Sequence, residues 1–209
     1  MESGMTMMMD VPGWLTALAW AWVAACVVSV AVVARDVRAR GRVTRTLDVV
    51  WPLSALYLGP IAVWLHGRGR RPRGTPTTIA GGLAGGAASA VAHLVGVPIV
   101  VLLGLRIAGI DLWPMILVIA VIAIAMLAAF EALGGRSLGA AVTLAVVTVL
   151  AFDVGMGGWM LLLHFTGNMP PATHVAFWFL MQIGVVLGTL TALPVLGSIF
   201  ATRRPAAGA

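Results

Sequence analysis

The stretch Trp51–Leu65, WPLSALYLGPIAVWL, decides the fold. It lies in the apolar segment Leu47–His66, about 20 residues long, which as one helix reaches about 30 Å and just crosses a bilayer core. Its centre reads Leu58-Gly59-Pro60. Proline has no N–H to continue a helix, and it disfavours helical geometry in the residue before it. The segment therefore has two readings. It is one continuous crossing, or it bends at Leu58-Gly59-Pro60 and returns to the face it entered from.

The basic residues bear on that choice. All thirteen are arginine, and they cluster between apolar runs. Arg35, Arg38, Arg40, Arg42 and Arg45 precede the segment; Arg68, Arg70, Arg71 and Arg73 follow it. A full crossing separates the two clusters and, with both termini inside, divides the arginines seven to six. A returning segment leaves five crossings, places the N-terminus outside, and puts twelve arginines inside with only Arg106 outside. The second count satisfies the positive-inside rule far better. Its cost is non-helical backbone at membrane depth, tolerated only when buried in protein. Full crossings are the commoner arrangement, and both readings stay open.

Five other apolar segments surround this one: Pro12–Ala34, Thr78–Ile107, Asp111–Glu131, Leu138–Phe165 and His174–Thr202. All are too long and too evenly apolar for strands. The chain is 61% hydrophobic and 10% charged, against about a quarter charged in soluble domains. The fold class predicted is an all-α integral membrane protein, a helical bundle of about six transmembrane segments with the second open to re-entry. Arginines that border apolar runs point to membrane lipid as partner and not to nucleic acid. Cys26, the single cysteine, has no internal disulfide partner. Val23-Ala24-Ala25-Cys26 resembles a lipoprotein cleavage box, but Met1–Pro12 lacks a basic region and the apolar run continues past it, so an uncut helix is expected. The tail MESGMTMMMD holds five methionines, read either as a soft-metal binder or as a plain tail.

Small residues recur at helical spacing. Gly81, Gly85 and Ser89 form one row, Gly82, Gly86 and Ala90 a second, and Gly184 with Gly188 a third. Such rows let helix backbones approach closely in lipid, and packing within the chain is the reading preferred over an oligomer or ligand role.

The candidate chemistry centres on Ala151–Phe165, AFDVGMGGWMLLLHF. Asp153 falls near the middle of its segment, where an ionised carboxylate costs about 2.5–3.5 kcal/mol on insertion scales. It therefore faces the bundle interior, finds a donor, or is protonated. Two readings satisfy that cost: a proton- or ion-path residue, or a neutral acid bonded across helices to Gln182, Thr189 or Ser89. His93 is a further possible partner, or a residue that serves a carbonyl freed by Pro98. Met156, Met160 and His164 follow Asp153 on broadly one helix face, a thioether and imidazole set that suits Cu(I) or another transition metal. Asp153 to His164 spans about 16 Å along the axis, so one ion cannot touch them all and a path is the most they form. His164 and His174 flank the turn TGNMPPAT and, with Met169, are a possible metal set or two interfacial histidines. Trp159 is expected to pack at a notch formed by Gly155 and Gly158. Asp111 and Glu131 are expected near the ends of the fourth segment. No serine elbow, phosphate loop, zinc-protease helix or paired thiol is present, which lowers the expectation of an enzyme.

Three stretches in order, WPLSALYLGPIAVWL at 51–65, AFDVGMGGWMLLLHF at 151–165 and FWFLMQIGVVLGTLTALPV at 177–195, resemble a bacterial membrane family catalogued as domain of unknown function 4396. The resemblance implies a multi-pass protein of the bacterial cytoplasmic membrane. It divides the chain into a tail (1–11), an extra N-terminal helix with its basic loop (12–46), the family core (47–204) and a C-terminal tail (205–209). The family's third segment opens with a His-Cys…Cys…Gly-Asp pattern that looks like a soft-metal or redox site. Gly81, Gly82, Gly86 and Ala90 stand at those positions here, so that chemistry does not carry over. The functional expectation is a small transport or ion- and proton-handling module centred on Asp153, with Met156, Met160 and Gln182 along the path and no resident cofactor. The alternatives are a non-catalytic partner of another membrane protein or of itself, acting through the glycine faces, and a metal or redox maturation factor.

Overall fold

A computed structural model describes residues 11–39, 46–69 and 77–202. The methionine-rich tail and Arg40, Arg42, Arg45, Arg70, Arg71, Arg73, Arg203 and Arg204 lie outside the described residues. Seven helices follow in order: α1 (Gly13–Ala39), α2 (Thr46–Leu58), α3 (Pro60–Gly69), α4 (Thr77–Leu103), α5 (Leu112–Leu133), α6 (Leu138–Phe165) and α7 (Val175–Thr202). Among the described residues there is no strand, only an isolated bridge from Ile107 to Ile110 in the turn between α4 and α5. Five helices, α1 and α4–α7, are long and apolar enough to cross a membrane.

The second apolar segment is not one helix. It breaks at Gly59 into α2 and α3, of 13 and 10 residues, about 20 and 15 Å and each short of a bilayer core. Gly59 takes φ +54, a left-handed value open to glycine, and its N–H closes the last turn of α2 on the Ala55 carbonyl at 3.1 Å. Pro60 then opens α3 at the position where a missing N–H costs least. The two helices double back on each other: the rings of Trp51 and His66, at the far ends of the pair, meet edge to face with centroids 5.2 Å apart. On a continuous helix these residues would stand about 22 Å apart. Of the six expected apolar segments, five are long helices and the second, left open to re-entry, is a helical hairpin.

The hairpin wedges against α1, α4 and α7. Its open end is tied to the end of α1, where His66 Nε2 and Asp36 Oδ2 lie 2.8 Å apart. Its tip reaches the middle of α1: a Cβ added to Gly59 would lie 3.2 Å from the Cys26 sulfur and 3.4 Å from the Trp22 ring. The end of α1, both ends of the hairpin and the start of α4 therefore share one end of the bundle. The end of α7 joins them, since Phe200 and Leu196 pack on Gly81. The turns before α5 and α7 lie at the other end.

α4 is the most enclosed of the long helices, and its glycines explain why. Gly81 faces Leu196 and Phe200, Gly82 faces Leu193 and Thr189 on α7, Gly85 faces Thr148 on α6, and Gly86 faces Tyr57 at the hairpin tip. Gly184 and Gly188 of α7 receive Met156, Trp159 and Phe152 of α6. The small-residue rows are thus occupied by side chains of the same chain, and backbones approach where no hydrophobic force between helices exists to pull them.

Candidate functional site

The break at Pro60 leaves the Leu56 carbonyl without its helical donor, because the N–H four residues on is missing. A free carbonyl at this depth is costly. Gln182 of α7 supplies the donor: its Nε2 reaches the Leu56 oxygen at 2.8 Å. The Gln182 Oε1 in turn lies 3.9 Å from the Cys26 thiol. Gln182 therefore clasps the hairpin tip between α1 and α7. The sequence pairs it with Asp153; the signal that pointed elsewhere was Pro60, 122 positions earlier.

Above the tip lies a cleft of about 240 Å³. α1 (Val23, Cys26, Val27), the tip (Leu56, Tyr57), α4 (Ala90, His93, Leu94) and α7 (Trp178, Met181, Gln182, Val185) line it. His93 and Tyr57 are its buried side chains with polar nitrogen or oxygen atoms. His93 Nδ1 lies 2.8 Å from the Ser89 carbonyl, and a carbonyl only accepts, so Nδ1 carries the proton. In the neutral ring Nε2 is then an acceptor, and it has no hydrogen-bond partner. The Ser89 hydroxyl sits 3.4 Å from the same Nδ1. Two other buried side-chain oxygens among the described residues lack a partner, on Tyr57 and Thr148. The Tyr57 hydroxyl stands near those of Thr189 and Ser54, but the geometry forms no hydrogen bond. Buried polar atoms without partners are few in folded proteins and call for an account.

The structure distributes the sequence-predicted residues differently. Asp153 is half-buried on α6, outside the cleft lining, and has no hydrogen bond or ion pair among the described residues. Its proposed partners are engaged elsewhere: Gln182 with Leu56, Thr189 with the Val185 carbonyl at 2.9 Å, and Ser89 with His93. His93 bonds within its own turn and serves neither Asp153 nor the carbonyl freed by Pro98. Met156 and Met160 are fully buried in the apolar core, with Met156 seated in the space of Gly184. His174 does local work, its Nδ1 accepting the Ala176 N–H at 3.1 Å and capping the start of α7. His164 packs edge-on against Phe165 at 5.2 Å, and Met169 packs on the core. No group of three His, Cys, Asp or Glu side chains able to hold a metal ion forms among the described residues. Trp159 does not use a Gly155–Gly158 notch. It fits against Gly184 and donates to the Leu180 carbonyl at 2.9 Å, while the space beside Gly158 is open. Asp111 precedes α5 without a side-chain cap, and Glu131 pairs with Arg136.

These elements define a class: an all-helical bundle of the membrane-protein type, with a broken helical hairpin clasped inside it. The chain belongs to the family described as Domain of unknown function (DUF4396), whose match spans residues 77–198, more than half its length. That match takes in α4 to α7 up to Ser198, with the stretches at 151–165 and 177–195; the stretch at 51–65 lies ahead of it. No curated protein and no solved structure matches the chain.

Proposed function

We propose that the chain is a multi-pass protein of the bacterial cytoplasmic membrane in which α2–α3 enters and leaves by the arginine-rich face. On this reading twelve arginines, all but Arg106, lie on the cytoplasmic side with the ends of α1 and α7. We further propose that it is a small transport or proton-handling module with Asp153 as the protonatable group. The observation that carries this reading is the hairpin itself. Backbone broken at membrane depth occurs where protein or a cavity encloses it, and helix breaks of this kind form the binding sites of many transporters. Asp153, on α6 beside α7 and without a partner among the described residues, is the natural proton carrier in such a bundle. Met156 and Met160 then act as packing against α7 and not as ligands. Gln182 holds the tip in place.

Two measurements test it. Gly41→Cys and Gly69→Cys, each in a Cys26→Ala background, are expected to label with an impermeant thiol reagent from the same face of sealed vesicles. Labelling from opposite faces ends the re-entrant reading. In proteoliposomes under an imposed potential, Asp153→Asn is expected to abolish proton-coupled flux while insertion and elution on size exclusion are kept. Full flux in that variant removes Asp153 from the mechanism.

A further inference from the structure

The cleft above the hairpin tip is a second feature, independent of Asp153 and of any flux. Its walls are mostly apolar; the polar lining groups are the His93 edge, the Tyr57 hydroxyl, the Cys26 thiol and the Gln182 amide, whose nitrogen is already committed to Leu56. Its mouth opens between the apolar outer faces of α1 and α4. Val27 and Leu94 line it on opposite sides and are 60% and 50% exposed, on helices whose outer faces are long, apolar and uncovered. α1 packs on the hairpin and on α7, so the gap between α1 and α4 is closed below by the tip and behind by α7, and stays open sideways. A molecule reaches this space by diffusing in lipid. Two lining residues carry an unpartnered polar atom: the Tyr57 hydroxyl, which sits against Gly86 and Thr189, and the His93 Nε2 acceptor, buried in the cleft wall. A saturated or ether ligand leaves Nε2 unpaired. A hydroxyl donor pairs it, and a hydrogen bond made away from water keeps more of its intrinsic strength.

We propose that this cleft is a binding site for a membrane-partitioned hydroxyl compound, held in apolar walls with its O–H donated to His93 Nε2. Two sources carry that chemistry, an aromatic hydroxyl of the phenol or quinol type and an aliphatic isoprenoid alcohol. His93 is the specificity residue, and Ser89 is a positioning residue that holds the ring tautomer through its carbonyl.

The test measures binding on the purified full chain in detergent micelles, corrected with protein-free micelles. The probe is radiolabelled propofol, a lipid-soluble phenol. The competitors are unlabelled propofol, its methyl ether, farnesol and farnesyl methyl ether. Each ether keeps the shape of its alcohol and removes the donor. In at least one pair the alcohol is expected to compete roughly tenfold better than the ether, the equivalent of one net hydrogen bond. A preference in the propofol pair assigns an aromatic hydroxyl; a preference in the farnesol pair assigns an aliphatic alcohol. His93→Leu is expected to reduce the preference to within about twofold, and His93→Gln, which keeps an acceptor, to restore part of it. Val23→Trp fills the cleft from α1 and is expected to abolish specific binding of both members of a pair. Equal competition by alcohol and ether in both pairs overturns the proposal on the unmutated chain alone. So does an alcohol preference that survives His93→Leu in protein that elutes as the unmutated chain does. Neither readout depends on flux, so loss of transport in Asp153→Asn and loss of alcohol preference in His93→Leu are separable results.

Discussion

Gly155→Leu is expected to leave no folded bundle, while Gly158→Leu, three residues on, changes little. The two glycines share α6 and nearly the same depth. A Cβ at Gly155 would lie 2.6 Å from the Leu187 carbonyl oxygen and 2.8 Å from the Gly188 nitrogen. These are backbone atoms of α7, and no rotamer change moves them aside. α6 and α7 must separate, and the separation empties the sockets that Gly184 and Gly188 offer to Met156, Trp159 and Phe152. Overpacking a tight contact costs about 1–3 kcal/mol even where side chains can adjust. Here the lost socket contacts add to it, so the expected loss is above about 3 kcal/mol. Gly158 has nothing within 4 Å of an added Cβ and is exposed on the lipid-facing side, so leucine there is expected to be neutral or slightly stabilising. Unfolding in mixed micelles, followed by tryptophan fluorescence, measures both. A folded Gly155→Leu protein with an unchanged midpoint refutes the close-packed α6–α7 seam.

The five long helices were legible in the sequence because lipid imposes a strong rule: a span must be about 20 apolar residues of helix. Leu138–Phe165 emerges with the bounds read from the sequence, and the others shift at their ends by a few residues, as Thr78–Ile107 does when Gly104 at φ +61 ends α4 early. The hairpin was half legible. Leu58-Gly59-Pro60 and the arginine count both pointed to a bend, but hydrophobicity is the same for a crossing and a return. What separates them is the meeting of Trp51 and His66, a contact across the bend. The site was the least legible part. Asp153 drew the eye because charge in an apolar run is visible locally. His93 is visible in the sequence, but as a partner for Asp153 or for a carbonyl freed by Pro98; its place emerges only when the Ser89 carbonyl fixes its tautomer and α1, the hairpin and α7 close a cleft around it. Gln182 was visible as an intramembrane amide, yet its partner is a backbone carbonyl 126 residues away, exposed by a proline. A carbonyl freed by Pro is predictable from sequence; which distant amide answers it is set by packing.

The same packing accounts for position 86, where the family resemblance places a cysteine and this chain has glycine. Gly86→Cys is expected to destabilise the protein by about 2–3 kcal/mol, the upper range for an overpacked core site. The obstacle is Tyr57: its hydroxyl already occupies the place of a Cβ, and the Thr189 hydroxyl oxygen lies 2.7 Å from it. Thr189 can yield by turning away from its bond to the Val185 carbonyl, but Tyr57 is a fully buried ring at the hairpin tip and has nowhere to turn. A double-mutant cycle isolates this cause. Tyr57→Ala alone is expected to cost about 3–5 kcal/mol, as large aromatic truncations do. Adding Gly86→Cys to Tyr57→Ala is then expected to cost little or to recover stability by part-filling the cavity, a coupling of about 1–3 kcal/mol between the two positions. Additive losses would show that Tyr57 does not exclude a side chain at 86, and the strain would have to come from α7 alone. Coupling of the expected sign means that tyrosine at the hairpin tip and glycine at 86 fit each other as a pair: the ring takes the space that a side chain at 86 would need.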